Sequence, residues 1–251
     1  MSFSGENIWI IGASSGIGAA LARVLSAQGA TLILSARSKD ALESLRKELG
    51  RQHHIYPLDV ANYSDIESAI NYITKTVKKL DRVIFMAAIY NPANIENMDV
   101  AFTKQLLEVN VLGAFHVAKA TLPILQKQSE GQLALCASVA GYVGLPGGQP
   151  YSASKAALIN FAESLYAEVP KNIDIKVINP GFVRTPMTDK NNFSMPMRVE
   201  PEVAAIYIAD GLRSKAFEIH FPKKFTIFLK FLSILPYGIK LFLTSKMKNK
   251  S

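Results

Sequence analysis

Tyr151 and Lys155 stand four residues apart at the head of a helix-forming run, Tyr151-Ser152-Ala153-Ser154-Lys155. Four residues is about one helical turn, so a phenol and an ammonium project from the same face. A tyrosine with an ordinary pKa of about 10 exchanges protons poorly at neutral pH, but a fixed cation beside it favours the phenolate and makes it a candidate acid/base. Alone, such a pair reads more readily as a surface contact, so the preceding residues decide. Ser138 closes the apolar run 133–137, and a 12-residue Gly/Pro-rich loop, 139–150, leads from it back to Tyr151. Ligands bind at the carboxyl ends of strands in doubly wound sheets, so Ser138 and Tyr151 are expected to line one crevice.

Near the amino end, Gly12-Ala13-Ser14-Ser15-Gly16-Ile17-Gly18 lies between a short β-rich run, 7–11, and a helical pattern, 19–28. Strand, glycine turn and helix form a phosphate site when the glycines admit close backbone approach and the free N–H groups opening the helix face the anion. A second strand, 31–36, ends in Arg37 and has no acid at its end. In dinucleotide folds an acid there receives the ribose hydroxyls, whereas an arginine can pair with a 2′-phosphate; NADP is therefore expected over NAD. Asp59, after a third strand at 53–57, is placed to meet a purine amino group.

These residues need elements to hold them. Ser64-Asp65-Ile66-Glu67 reads as a capping box opening a helix to about residue 79. The apolar strand 82–88 suits a central parallel position covered on both faces. Helical periodicity from 99 to about 128 passes Asn110 and Gly113. Glycine is awkward inside a helix, which suggests a local distortion exposing backbone groups; the alternative is that Asn110 is a satisfied polar residue in a buried helix. A helix at 151–168 and a strand at 174–179 complete six β-then-α units without repeat or linker. The expected fold is α/β: a single Rossmann-like doubly wound parallel sheet with helices on both faces. Segment 186–199, carrying Met187, Phe193, Met195 and Met197, reads either as a lid or as a loop packing its apolar residues on the core.

Composition narrows the class. With 251 residues, 49% of them hydrophobic, the chain is large enough for one well-buried core. The single Cys136 cannot form an internal disulfide and reads as a core residue from a reducing compartment, and the four histidines show no metal-ligand spacing. No secretory pattern opens the sequence, so a cytoplasmic protein is expected. The formal charge is +8, yet seven lysines and no acid fall between 219 and 251, so only one unit belongs to the rest. A basic stripe for nucleic acid is thereby excluded.

Together, Gly12-x-x-x-Gly16-x-Gly18, Asn110, Ser138, Tyr151-x-x-x-Lys155 and Asn179-Pro180-Gly181 resemble the short-chain dehydrogenases/reductases over about residues 7–185. The resemblance implies an NADP(H)-dependent oxidoreductase, with NAD(H) the second choice, that interconverts a small-molecule carbonyl and a secondary alcohol. Tyr151 would exchange the proton, Ser138 would hold the reacting oxygen, Lys155 would lower the tyrosine pKa and bind the nicotinamide ribose, and Asn110 would support a proton-conducting water chain. Gly12, Ser14, Ser15, Gly16, Ile17 and Gly18 would surround the phosphates and ribose, with Arg37, Asp59 and Val60 at the adenosine. Ala87, Ala88, Pro180, Gly181, Val183 and Thr185 would meet the nicotinamide end, and Phe182 and Met187 would contact substrate. A homodimer through the helices bearing Asn110 and Tyr151 is a further implication.

The chain departs from the family pattern in three places. Ile11 replaces the usual threonine before the first glycine, and Phe85-Met86-Ala87-Ala88 replaces Asn-Asn-Ala-Gly. After 216–221 come two apolar runs, 225–235 and 237–243, interrupted by Lys230, Pro236 and Lys240. Neither run has the roughly 20 apolar residues that spanning needs. They are expected to lie in a membrane interface, at the inner face of a membrane, through 223–250, or else to cover the pocket or a subunit contact. The domain division is 1–218, catalytic and dinucleotide-binding, and 219–251, a basic apolar helical tail. The Phe85-Met86 departure and the tail leave one alternative open, a catalytically silent nucleotide-binding or membrane-associated scaffold.

Overall fold

The computed structural model describes residues 2–190 and 195–247; Phe193 of the methionine-rich loop and Lys248 and Lys250 of the tail lie outside them. Seven parallel strands run in the order β3-β2-β1-β4-β5-β6-β7. They are β1 (Asn7–Ile11), β2 (Thr31–Ser35), β3 (His54–Ile55), β4 (Arg82–Phe85), β5 (Gly131–Cys136), β6 (Ile173–Pro180) and β7 (Glu218–Phe221). Because strand side chains alternate with a period of two, each central strand feeds two cores. Ile8 and Ile10 enter one core with Leu32, Leu34 and Ile84, while Trp9 and Ile11 enter the other with Ile33, Val83 and Phe85. Helices α1 (Gly16–Ala27), α2 (Lys39–Leu49) and α7 (Pro201–Arg213) supply buried residues to the first core. Helices α3 (Tyr63–Thr76), α5 (Gly113–Gln128) and α6 (Tyr151–Glu168) supply the second. The expected doubly wound sheet is what forms, and Cys136 is a buried free thiol within it.

Local boundaries differ for identifiable reasons. β3 is shorter than 53–57: beyond Ile55 only Tyr56 N and Leu58 N still donate, to Leu34 O and Ala36 O, and Pro57 is tolerated between them because its missing N–H faces the open edge of the sheet. The capping box does not form. Helix α3 starts at Tyr63 after Asn62, with no side-chain cap, and the Asp65 carboxylate instead accepts from Asp59 N at 3.0 Å. That helix ends at Thr76, where Val77 turns extended. The sheet part of 82–88 stops at Phe85, because Met86, Ala87 and Ala88 leave it to wall a cleft. The long helix at 99–128 is α4 (Val100–Leu107), a π turn (Glu108–Leu112) and α5, so the distortion expected at Asn110 is present.

His53 leaves the strand and becomes a buried hinge between elements. Its Nδ1 accepts from Leu32 N at 3.1 Å and its Nε2 lies 2.8 Å from Ser26 Oγ. Protonation would turn Nδ1 into a donor facing another donor, and burial, first, followed by the neighbouring His54, holds the pKa below its ordinary 6.5. A depressed pKa gives stability that is present above the unfolded value and lost as pH falls through the folded one. The melting temperature is therefore expected to fall as pH drops below about 6.5, with a shallower fall in His53→Gln, read by thermal melts across that window.

Candidate active site

The order reverses between β1 and β4, where their carboxyl ends open a crevice. Gly12, just past β1, has φ +97°, and a Cβ there would lie 2.6 Å from Ala87 N. A Cβ on Gly18 would lie 2.1 Å from Gly12 O. Glycine is thus required both for the turn and for its close approach to the Met86–Ala88 wall. Ser15 caps α1 without a side-chain hydrogen bond and no acid occupies the first turn, so the helix head offers its N–H groups and partial positive charge to an anion. The resulting cleft has a volume of about 390 Å³.

All the residues expected to hold the cofactor meet in that cleft. The glycine turn from Gly12 to Gly18 lies at its centre, and Arg37, Asp59 and Val60 lie towards the β2 side. Ala87, Ala88, Tyr151, Lys155, Pro180, Gly181, Val183 and Thr185 line the remainder. Arg37 is exposed and makes no ion pair among the described residues. Asp59 is oriented by its own Oδ1, which accepts from Ala61 N, as well as by Asp65. Glycines that only glycine can fill, an uncapped helix head and an unpaired arginine together suit a dinucleotide.

The proton-exchanging end is tightly built. Lys155, 1% exposed, donates from Nζ to Cys136 O at 2.8 Å and lies 5.4 Å from the Tyr151 ring centroid. The Tyr90 ring meets that of Tyr151 edge-on at 4.9 Å. Ser138 Oγ accepts from Ala140 N at 3.1 Å and donates to Pro180 O at 3.5 Å, which aims it into the cleft. Burial, and then Cys136, push the Tyr151 phenol above its ordinary value, while a hydrogen bond with Ser138 pulls the other way. Burial also pushes the Lys155 ammonium below its ordinary value. The lowering expected from Lys155 does not set the tyrosine here, because desolvation outweighs it and the ammonium is engaged by a carbonyl.

Asn110 stands one layer behind. It is fully buried in the π turn, its Oδ1 accepts from Ile89 N at 2.8 Å, and its Nδ2 donates to Ile89 O at 3.0 Å and Ser154 Oγ at 3.2 Å. Its side chain is satisfied and fixes Ile89, which lines the cleft. Of the two expected substrate contacts, Met187 lines the cleft but Phe182 does not: its ring packs against Phe225 at 5.5 Å. Gly181 beside it stands close to the tail, since a Cβ there would lie 3.1 Å from the Phe225 ring.

Three participants escaped sequence reasoning. Thr188 lines the cleft and donates to Val183 O, and Tyr90 braces Tyr151. Glu218 gathers hydrogen bonds from Tyr142 Oη, from Lys230 Nζ and from Asn179 Nδ2, the last at 2.7 Å. Burial raises the Glu218 carboxyl, but these donors, Lys230 foremost, win and hold it below the usual range. Only the Asn179-Pro180-Gly181 motif gave a local signal for this cluster.

A parallel doubly wound sheet with a glycine-lined crevice at its switch point defines a dinucleotide-binding protein. A family model described as short chain dehydrogenase matches residues 6–195, and the chain belongs to that family. It is an NAD(P)-dependent oxidoreductase acting between CH–OH and C=O groups. An uncharacterised oxidoreductase of Staphylococcus epidermidis is 32% identical over 194 residues, which cover 77% of this chain and 84% of that protein. Nodulation protein G of a Rhizobium species is 33% identical over 190 residues, covering 75% and 78%. Among solved structures, an alcohol dehydrogenase of Thermococcus sibiricus complexed with 5-hydroxy-NADP is similar, with 26% identity, a TM-score of 0.79 and coverage of 86% and 95%. A Burkholderia phymatum short-chain dehydrogenase in complex with NAD, 20% identical, shares the fold with a TM-score of 0.84 and coverage of 92% and 93%.

Proposed function

We propose that the protein is an NADP(H)-dependent reductase or dehydrogenase that interconverts a carbonyl and a secondary alcohol on a hydrophobic molecule, with Tyr151 as general acid/base. The observation that carries this reading is the convergence of Tyr151, Ser138 and Lys155 on one dinucleotide-sized cleft. The nicotinamide, when bound, supplies or accepts the hydride. In reduction, Tyr151 gives its proton to the substrate oxygen while the Ser138 hydroxyl donates a hydrogen bond to it; in oxidation, Tyr151 takes the proton back. Its raised pKa keeps the phenol protonated at neutral pH, the form that reduction needs. Lys155 holds the ribose and offsets charge on the phenolate, and Asn110 acts through Ile89 and Ser154 as a positioning residue.

Arg37 supports NADP(H) over NAD(H), since it lines the cleft with no partner of its own among the described residues. A charge-assisted pair with a 2′-phosphate is worth about 1.5–3 kcal/mol, or roughly ten- to a hundredfold. Arg37→Ala is expected to weaken NADPH by that factor and NADH little, read by titrating both cofactors; equal losses would sink the assignment. Paired with the titration, a ketone panel of increasing chain length tests the reaction itself, and nucleotide binding without hydride transfer to any member would favour a silent scaffold. Exposed Leu107, Leu112 and Phe115 beside the π turn and Tyr166 on α6 support a homodimer through these helices. The lone buried Cys136 thiol supports a cytoplasmic setting.

A further inference from the structure

We propose that the outer face of α8 (Lys223–Ile234) and α9 (Tyr237–Ser245) seats the protein on an anionic lipid surface, so that the cleft draws a water-insoluble carbonyl compound from the leaflet. The second half of this statement rests on the carbonyl-reductase reading above. Helix α8 has two unlike faces. Leu229 and Leu232 are buried against Val139 and Val143, in the loop that runs from Ser138 to Tyr151. The underside of α8 therefore packs on the loop that joins Ser138 to Tyr151, and Phe225 at its head touches Phe182 and stands beside Gly181, which lines the cleft.

Among the described residues, nothing covers the opposite face. Phe228, Phe231 and Ile234 on α8, and Tyr237, Leu241 and Phe242 on α9, are all more than half exposed, Ile234 at 78%. Thr244 is the single buried residue of α9. Large apolar side chains exposed in this number on two consecutive helices mark an interaction site. Among the described residues no helix is long and apolar enough to cross a membrane, so a lipid partner must be met from the side.

Charge selects the partner. Lys223, Lys224 and Lys246 are exposed on or beside these helices, Lys240 is half-buried and donates to Ser233 O at 3.1 Å, and no acid occurs from 219 onward. Lys230, the one lysine that would interrupt the apolar surface of α8, is turned inward and paired with Glu218. Lys240 and Lys246 each place their ammonium over an aromatic ring, 4.4 Å from the centroids of Tyr237 and Phe242 respectively, so charge and ring sit together on this face. A second copy laid on this face would set lysine against lysine with no carboxylate between them. Anionic head groups satisfy the ammoniums while the acyl boundary takes up the rings.

The test is co-sedimentation of the full chain, without cofactor or substrate, with phosphatidylcholine vesicles and with vesicles carrying roughly one-third phosphatidylserine. At least tenfold more protein is expected on the anionic vesicles, with release by high salt. Phe228→Ser/Phe231→Ser is expected to lower that binding at least tenfold while NADPH affinity, which reports folding, stays at the wild-type value. Absence of binding to either vesicle would overturn the proposal, as would equal binding to both. So would a solution dimer, seen by ultracentrifugation, that Phe228→Ser/Phe231→Ser dissolves while vesicles remain bare. No turnover enters these readouts, so failure of the lipid proposal and failure of the reductase reading are separately visible.

Discussion

Tyr151→Phe is expected to bind NADPH within a few-fold of wild type yet lose about a thousandfold in turnover, the range in which a positioned proton donor contributes. The ring would still meet Tyr90 edge-on and Lys155 would still reach Cys136 O, so the substitution removes a proton and little packing. Steady-state rates with equal cofactor occupancy separate the two effects. The pH profile carries the same signature. Burial holds the phenol above its ordinary value of 10, so it stays protonated through neutral pH. Carbonyl reduction should accordingly hold level from about pH 6 to about pH 8, while alcohol oxidation, which needs the phenolate, should climb across that range. Full turnover by Tyr151→Phe would mean that the proton comes from elsewhere.

Asn110→Leu is expected to have the largest effect on stability. Leucine is close in size but can neither accept from Ile89 N nor donate to Ile89 O, and both bonds lie behind a fully buried residue. Leaving a buried polar group unpaired costs about 1–3 kcal/mol, so two such groups cost roughly 2–6 kcal/mol in all. For a chain of this length each kcal/mol lowers the melting temperature by about 2–4 °C, giving an expected drop of about 10 °C. Because Ile89 lines the cleft, its release should also lower kcat more than cofactor affinity. A melting temperature unchanged from wild type would show that the clamp contributes nothing.

Much of this architecture is legible in the residues. Strands buried on both faces write themselves as continuous apolar runs, and the glycine turn declares itself because no side chain fits where Gly12 meets Ala87. Ser138, Tyr151 and Lys155 were recoverable because a strand end and one helical turn fix their relative positions. What was not legible depends on long-range partners or on direction. Glu218 draws on Tyr142, Asn179 and Lys230, which no local pattern connects. Phe182 sits next to a cleft glycine, yet its ring points to Phe225, a choice made by the tail. β3 stops at Ile55, and Ser64, expected to cap α3, falls inside a helix that already starts at Tyr63, while Asp65 accepts from the Asp59 backbone. Lys230 looked like a break in an apolar run; only the fold reveals that its ammonium turns inward.

The most direct measurement is a single turnover of a hydrophobic ketone with NADPH deuterated, in separate runs, on either face of its dihydronicotinamide ring. With wild type, one of the two labels is predicted to place deuterium on the carbinol carbon, and Tyr151→Phe is predicted to form no labelled alcohol over the same interval. Deuterium from neither label, across the chain-length panel, or equal labelling by Tyr151→Phe, would contradict the account.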